Sequence, residues 1–273
     1  MNPSGATPVL YYHSVADNCL SVNPLVFRAQ LSYVKQHGYR CISLGEWLAS
    51  QGSMQAAERR VVLTFDDGFA SMWENVLPLL EEFGFRATFF IVPGYVGKTL
   101  WGDPLTRTWS WEEKSRRIPF PMMAWDQIAR MSEAGMEIGS HTLSHPNLTD
   151  IAEEEARKEI HESKAFLEEK LGIPMQGFCY PRGCQNDAVV KLVQESGYHY
   201  GCTTKPGYAT PDSDPFALPR IPGPASLSDL VFHLKAFPSN LFTRSVLKVA
   251  RNLERLEWAM RDPTAQTHAE AQE

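Results

Sequence analysis

No run of about 18 consecutive apolar residues occurs in the chain, so a membrane-crossing helix is not expected. The first eight residues, Met1 to Pro8, lack the positive segment followed by an apolar segment that marks a secretory signal. The expected location is therefore cytoplasmic, or periplasmic or secreted if a leader has been trimmed away. Cysteine is sparse. The five present, Cys19, Cys41, Cys179, Cys184 and Cys202, are odd in number and scattered, with no CxxC. This argues against a zinc–thiolate site and for reduced, structural thiols. Positive charge is also short, with 26 Lys and Arg against 32 Asp and Glu. A protein that tracks phosphates is normally basic, so nucleic acid is not an expected partner. Internal repeats and low-complexity linkers are missing, which removes solenoid and linker-joined architectures.

What is present is an alternation. Short apolar runs at 8–13, 39–43, 60–65, 87–92, 137–139, 176–179 and 198–203 read as buried strands. Between them lie helical patterns at 24–36, 44–50, 70–83, 123–134, 151–171 and 187–196, several closed by a glycine. Strand and helix alternating this often indicate an α/β fold with a parallel sheet, open or closed. Residues 1–237 are expected to form the catalytic domain, and 238–273 a C-terminal helical extension with a polar tail.

In parallel α/β folds, function gathers at the carboxyl ends of strands. Three such ends carry groups that could act together: His13, Asp66-Asp67, and His141 with His145. A fourth leads into Tyr180-Pro181-Arg182-Gly183. Adjacent carboxylates repel unless a cation or donor separates them. Alone, Asp66-Asp67-Gly68 could equally be a helix cap and a turn. The two histidines are four apart, and a helical turn there would set both imidazoles on one face, as metal sites do. One carboxylate and two imidazoles suit zinc or another first-row divalent ion with positions left open. The second carboxylate is then placed to act as a general base in metal-assisted hydrolysis of a carbonyl compound.

Thr64-Phe-Asp-Asp-Gly68 and Ser140-His-Thr-Leu-Ser-His145 resemble the first two motifs of the polysaccharide deacetylases, the carbohydrate esterases of the chitooligosaccharide-deacetylase type. The Tyr-Tyr-His strand, Phe178-Cys-Tyr-Pro-Arg-Gly183 and Leu218-Pro-Arg-Ile221 look like the branch that trims exopolysaccharides such as poly-N-acetylglucosamine. The resemblance spans roughly residues 8 to 222. It implies a distorted (β/α) barrel with fewer than eight strands. It implies one divalent ion, zinc or else cobalt or nickel, on Asp67, His141 and His145, with Asp66 as base. It also implies removal of N-acetyl groups from an amino sugar in a bacterial polysaccharide or its precursor. In most members the third motif carries an arginine, then a proline and an aromatic residue. Here the arginine position falls on Cys179 and the aromatic position on Arg182, so Arg220 is expected to supply the cation to Asp66. The Arg182 backbone N–H is expected to face the oxyanion. His13 is preferred over the late, helix-like His233 as the acid that protonates the leaving amine.

Tyr180 and three tryptophans of the 97–121 insert, Trp101, Trp109 and Trp111, are candidates for binding the sugar, whose apolar C–H faces stack on aromatic rings. The tryptophans could equally pack that insert onto the barrel. The stretch from Asn240 to Met260 has apolar residues at roughly helical spacing, punctuated by Arg244, Lys248, Arg251 and Arg255. It could lie on an anionic membrane, although packing on the domain or on a partner subunit is the commoner use. Oligomeric state is not indicated. Two rival readings stay open, an amidase or cyclic imidase acting on a small substrate and a carbohydrate-binding protein without catalysis. Intact Asp66 counts against the second.

Overall fold

The computed structural model describes residues 6–18, 21–50, 59–98 and 121–226. Trp101, Trp109, Trp111, His233 and the 238–273 extension lie outside the described residues. The chain begins with β1 (Val9–Tyr12), α1 (Pro24–Gln36), β2 (Tyr39–Ile42), α2 (Leu44–Ala49) and β3 (Arg59–Phe65). A π-helical turn (Met72–Val76) then leads into α3 (Leu77–Phe83) and β4 (Thr88–Ile91). α4 (Trp125–Glu133), β5 (Glu137–Ser140), α5 (Glu153–Leu171), β6 (Gly177–Cys179), α6 (Asp187–Glu195), β7 (Tyr200–Cys202) and β8 (Ile221–Pro222) follow.

Every ladder between these strands is parallel. The path runs β7-β6-β5-β4-β3-β1-β8, with β2 paired to β3 beside it. Seven of the eight strands thus lie on one curled path, and a bridge from Cys202 to Leu218 links β7 to the stretch that enters β8, which gives an irregular barrel. This is the distorted barrel with fewer than eight strands expected from the sequence. Among the described residues, no helix is long and apolar enough to cross a membrane.

Strand residues alternate between two cores, as the two-residue period requires. Val9, Val62, Phe90, Cys179 and Tyr200 share the inner cluster with Trp47. Leu10, Leu63, Phe89, Ile138 and Phe178 face outward into the larger cluster covered by the helices. The helices start where the chain supplies caps: the Asn23 side chain accepts from Leu25 N ahead of Pro24, and Ser43 with Glu46 forms a capping box for α2. The single helix expected over 70–83 is instead divided. Pro78 has no N–H and crowds the carbonyl four residues back, so the preceding turn widens to π geometry. The ends of that turn hold the loop after β1. Ser71 Oγ lies 2.9 Å from Ser14 Oγ, and Asn75 Nδ2 donates to Val15 O at 2.8 Å.

At the amino-terminal end of the barrel, Glu137 closes the floor. Its carboxylate accepts from Thr88 Oγ1 at 2.7 Å, Gly45 N at 2.9 Å and Tyr200 Oη at 2.8 Å, joining β4, α2 and β7. Glu137→Ala strands three donors, and a loss on the order of 3 kcal/mol is expected in urea unfolding. An unchanged unfolding midpoint would contradict this role for the floor.

Candidate active site

The carboxyl ends of β3, β5 and β6 converge with the side chain of Arg220. Asp66 and Asp67 leave β3 in different directions because Asp67 adopts φ 80° and Gly68 φ 88°. A left-handed non-glycine residue costs roughly 1–2 kcal/mol, and here the turn separates two adjacent carboxylates that would otherwise repel.

Asp66 points into the barrel. Arg220 Nη1 donates to its Oδ1 at 2.8 Å and Nη2 to its Oδ2 at 2.8 Å, a bidentate pair. Arg220 is 0% exposed and Asp66 2%. The other guanidinium donors are also used. Nε donates to Thr203 O at 2.9 Å, Nη1 also to Thr64 Oγ1 at 3.0 Å, and Nη2 also to Cys179 Sγ at 3.0 Å. All five N–H groups of the fork therefore have partners. The cation also lies 4.7 Å from the centre of the Tyr11 ring. Burial alone would raise the Asp66 carboxyl, but the Arg220 charge and its hydrogen bonds outweigh burial and hold it well below the usual carboxylate range. Burial pushes the Cys179 thiol well above its ordinary value. It stays protonated and donates to Asp66 Oδ2 at 3.6 Å.

The sequence placed Arg220 at a strand end, whereas it immediately precedes β8. Only the length of its side chain brings the charge to the carboxyl end of β3. Thr64 is an unforeseen partner that a period-two reading could have found, since it stands two residues before Asp66 on the same strand face. The role of Cys179 as a hydrogen-bonding neighbour was also unforeseen.

Asp67 turns toward the histidines. Its Oδ1 lies 3.6 Å from His141 Nε2 and 3.7 Å from His145 Nε2. One ligand atom from each of the three residues falls within 4.8 Å of the others, and all three residues are buried. His141 Nδ1 is 2.6 Å from Cys179 O. A carbonyl can only accept, so Nδ1 carries the proton and Nε2 offers a lone pair toward Asp67. Burial, reinforced by His145 nearby, lowers His141 to about 3, which keeps its imidazole neutral. A buried carboxylate facing imidazole nitrogens suits a divalent cation. Tetrahedral ligation with bonds of about 2.0–2.1 Å needs donors ~3.3 Å apart, close to the spacing here.

The histidines are not on a helical turn, contrary to the expectation from their spacing. Residues 141–145 form an irregular loop with Thr142 at φ 65° and His145 at φ 64°. His145 N donates to Thr142 Oγ1 at 2.9 Å, which closes the loop on itself. With Asp67 and Arg182, these are the left-handed non-glycine residues among the described residues, and all belong to the site.

Arg182 lies in the turn after β6 at φ 59°, and its carbonyl accepts from Thr204 Oγ1 at 3.0 Å. His13 is exposed just past β1 with its ring edge-on to Tyr11. Tyr180, expected to touch substrate, needs correction. It is 0% exposed, packs edge-on against Phe178, and donates its hydroxyl to Phe216 O at 3.0 Å. Its side chain belongs to the core because successive strand residues face opposite sides, and Cys179 holds the inward position.

A family model described as polysaccharide deacetylase matches residues 53–201. The poly-beta-1,6-N-acetyl-D-glucosamine N-deacetylase of Staphylococcus epidermidis is 25% identical over 210 residues, covering 74% of this chain and 67% of that protein. Among solved structures, the Streptococcus pyogenes deacetylase PplD in complex with acetate aligns with TM-score 0.71 at 24% identity, covering 84% of this chain and 98% of that one. IcaB from Ammonifex degensii aligns with TM-score 0.70 at 23% identity, covering 85% and 97%. These two structural likenesses establish the shared fold.

Arg220→Met leaves the Asp66 carboxylate buried without its cation, and a loss of about 3–5 kcal/mol is expected at neutral pH. With Arg220 present, folded Asp66 sits below its unfolded value near ~3.9, so its contribution is full above that pH and fades only on stronger acidification. In the variant, burial raises the folded value instead, so the penalty shrinks as Asp66 gains a proton on moving from pH 7 toward about 4.5. Urea midpoints of both proteins in chelator at the two pH values test this. A gap that fails to narrow would rule out the proposed electrostatic link.

Proposed function

The chain belongs to the polysaccharide deacetylase family, and from that premise we propose that it is a metal-dependent hydrolase that removes N-acetyl groups from an N-acetylated amino sugar in a bacterial polysaccharide or its precursor. The observation that carries this reading is the division of labour between two neighbouring aspartates. Asp66 is held by Arg220, and Asp67 faces the Nε2 atoms of His141 and His145. The named activity of the staphylococcal relative supports a β-1,6-linked N-acetylglucosamine polymer as the first substrate to test.

Asp67, His141 and His145 would hold the ion. We assign zinc, with cobalt or nickel as alternatives, because imidazole and carboxylate donors suit these borderline metals. A bound divalent ion supplies Lewis acidity and lowers the pKa of the attacking water, so that a carboxylate as acidic as Asp66 can accept its proton. Arg220 keeps Asp66 ionised and fixes its plane; with Oδ2 shared by Arg220 and Cys179, the second lone pair of Oδ1 is left for that proton. Water adds to the acyl carbon, and the Arg182 backbone N–H is assigned to the developing oxyanion. His13 returns a proton to the amine as the C–N bond breaks, giving acetate and the free amino sugar.

Acetate release from β-1,6-linked N-acetylglucosamine oligomers and from chitooligosaccharides tests the assignment directly. Asp66→Asn should lower turnover by about 10²–10⁴-fold while keeping bound metal, whereas Asp67→Asn should lose both. Equal metal loss in the two variants would overturn the division of labour. His13→Ala should reduce kcat by roughly 10²-fold or more with metal content intact. Unchanged turnover would remove His13 as the acid.

A further inference from the structure

The left-handed turn carrying His145 is gripped from outside the motif. Ser144 N donates to Glu159 Oε2 at 2.8 Å, and Ser144 Oγ donates to Glu159 Oε1 at 2.6 Å. Glu159 lies in the second turn of α5, on the outer layer of the barrel. From the other side, Tyr95 Oη donates to Ser144 O at 3.1 Å and Gly94 N donates to Leu143 O at 2.9 Å. Position 94 has to be glycine, because a Cβ there would stand 2.4 Å from Leu143 O. Two non-glycine residues with positive φ within four positions persist only where their surroundings over-determine them. These contacts and the internal Thr142 bond help to hold this turn, and Glu159 supplies two of them from one side chain.

We propose that Glu159 is a positioning residue for the metal centre. It fixes the 141–145 turn in its left-handed form and thereby sets where His145 Nε2 stands relative to Asp67 and His141 Nε2. The inference rests on the reading of Asp67, His141 and His145 as metal ligands. Glu159 is half-buried on a helix surface, so its replacement leaves the core untouched.

The test is Zn²⁺ titration calorimetry on chelator-treated full-length protein, with the visible spectrum of the Co²⁺-loaded form as a second readout. Glu159→Ala should weaken Zn²⁺ binding about tenfold, as loss of a supporting partner does in metal sites, and should change the Co²⁺ spectrum. Glu159→Gln should fall between, since its amide oxygen can accept one bond where the carboxylate accepts two. Glu155→Gln, one turn earlier on the same helix, should match wild type. Wild-type Zn²⁺ affinity in Glu159→Ala overturns the proposal, and so does lower thermal stability of the metal-free variant with unchanged affinity. A wild-type protein that binds neither ion removes the metal reading and this inference together, a result distinct from binding that ignores Glu159.

Discussion

A guanidinium charge shut inside the barrel governs how this site is built. Taking an ion out of water costs several kcal/mol after relaxation, so Arg220 can stay charged at zero exposure only if every donor is matched. Asp66 takes two of its bonds, and Thr64, Thr203 and Cys179 take the rest. The same pairing commits Asp66 to the barrel interior and keeps it ionised. Asp67 must then turn the opposite way, and the chain accepts a left-handed residue there.

Strain and ligand placement go together throughout the site. Asp67, Thr142, His145 and Arg182 adopt backbone conformations that side chains rarely occupy, each just beyond a strand. Strain of this kind pre-organises a site when packing and hydrogen bonds leave no relaxed alternative. Thr142 Oγ1, Cys179 O, Thr204 Oγ1 and Glu159 provide such bonds. The backbone of Cys179 contacts His141, and its thiol contacts Asp66 and Arg220. One residue thus couples the two halves of the centre.

Legibility from sequence followed the range of the interaction. Apolar runs bounded by glycine and proline revealed the strands, because burial of alternating residues is a local pattern. The π-helical turn was hidden because Pro78 acts through a clash with the preceding turn, which hydrophobic periodicity does not register. Spacing of four made the histidines visible as a pair but suggested the wrong backbone, since a left-handed loop and a helical turn can both bring two imidazoles together. Tyr180 was misjudged by one position, and in a strand one position reverses the face. Glu159 carried no signal at all, being one acidic residue among many on an amphipathic helix.

By itself the sequence determined the chemistry available: neighbouring carboxylates after an apolar strand, paired imidazoles after another, and an alternation that demands a parallel sheet. Tertiary structure decided which aspartate meets the arginine 154 residues away and which meets the histidines. It also decided that a thiol fills the corner between them. The physical reason is that residue type and local period are written along the chain. The sign of φ at Asp67 and His145, and the closure that brings Arg220 beneath β3, arise only when distant segments pack and satisfy one another.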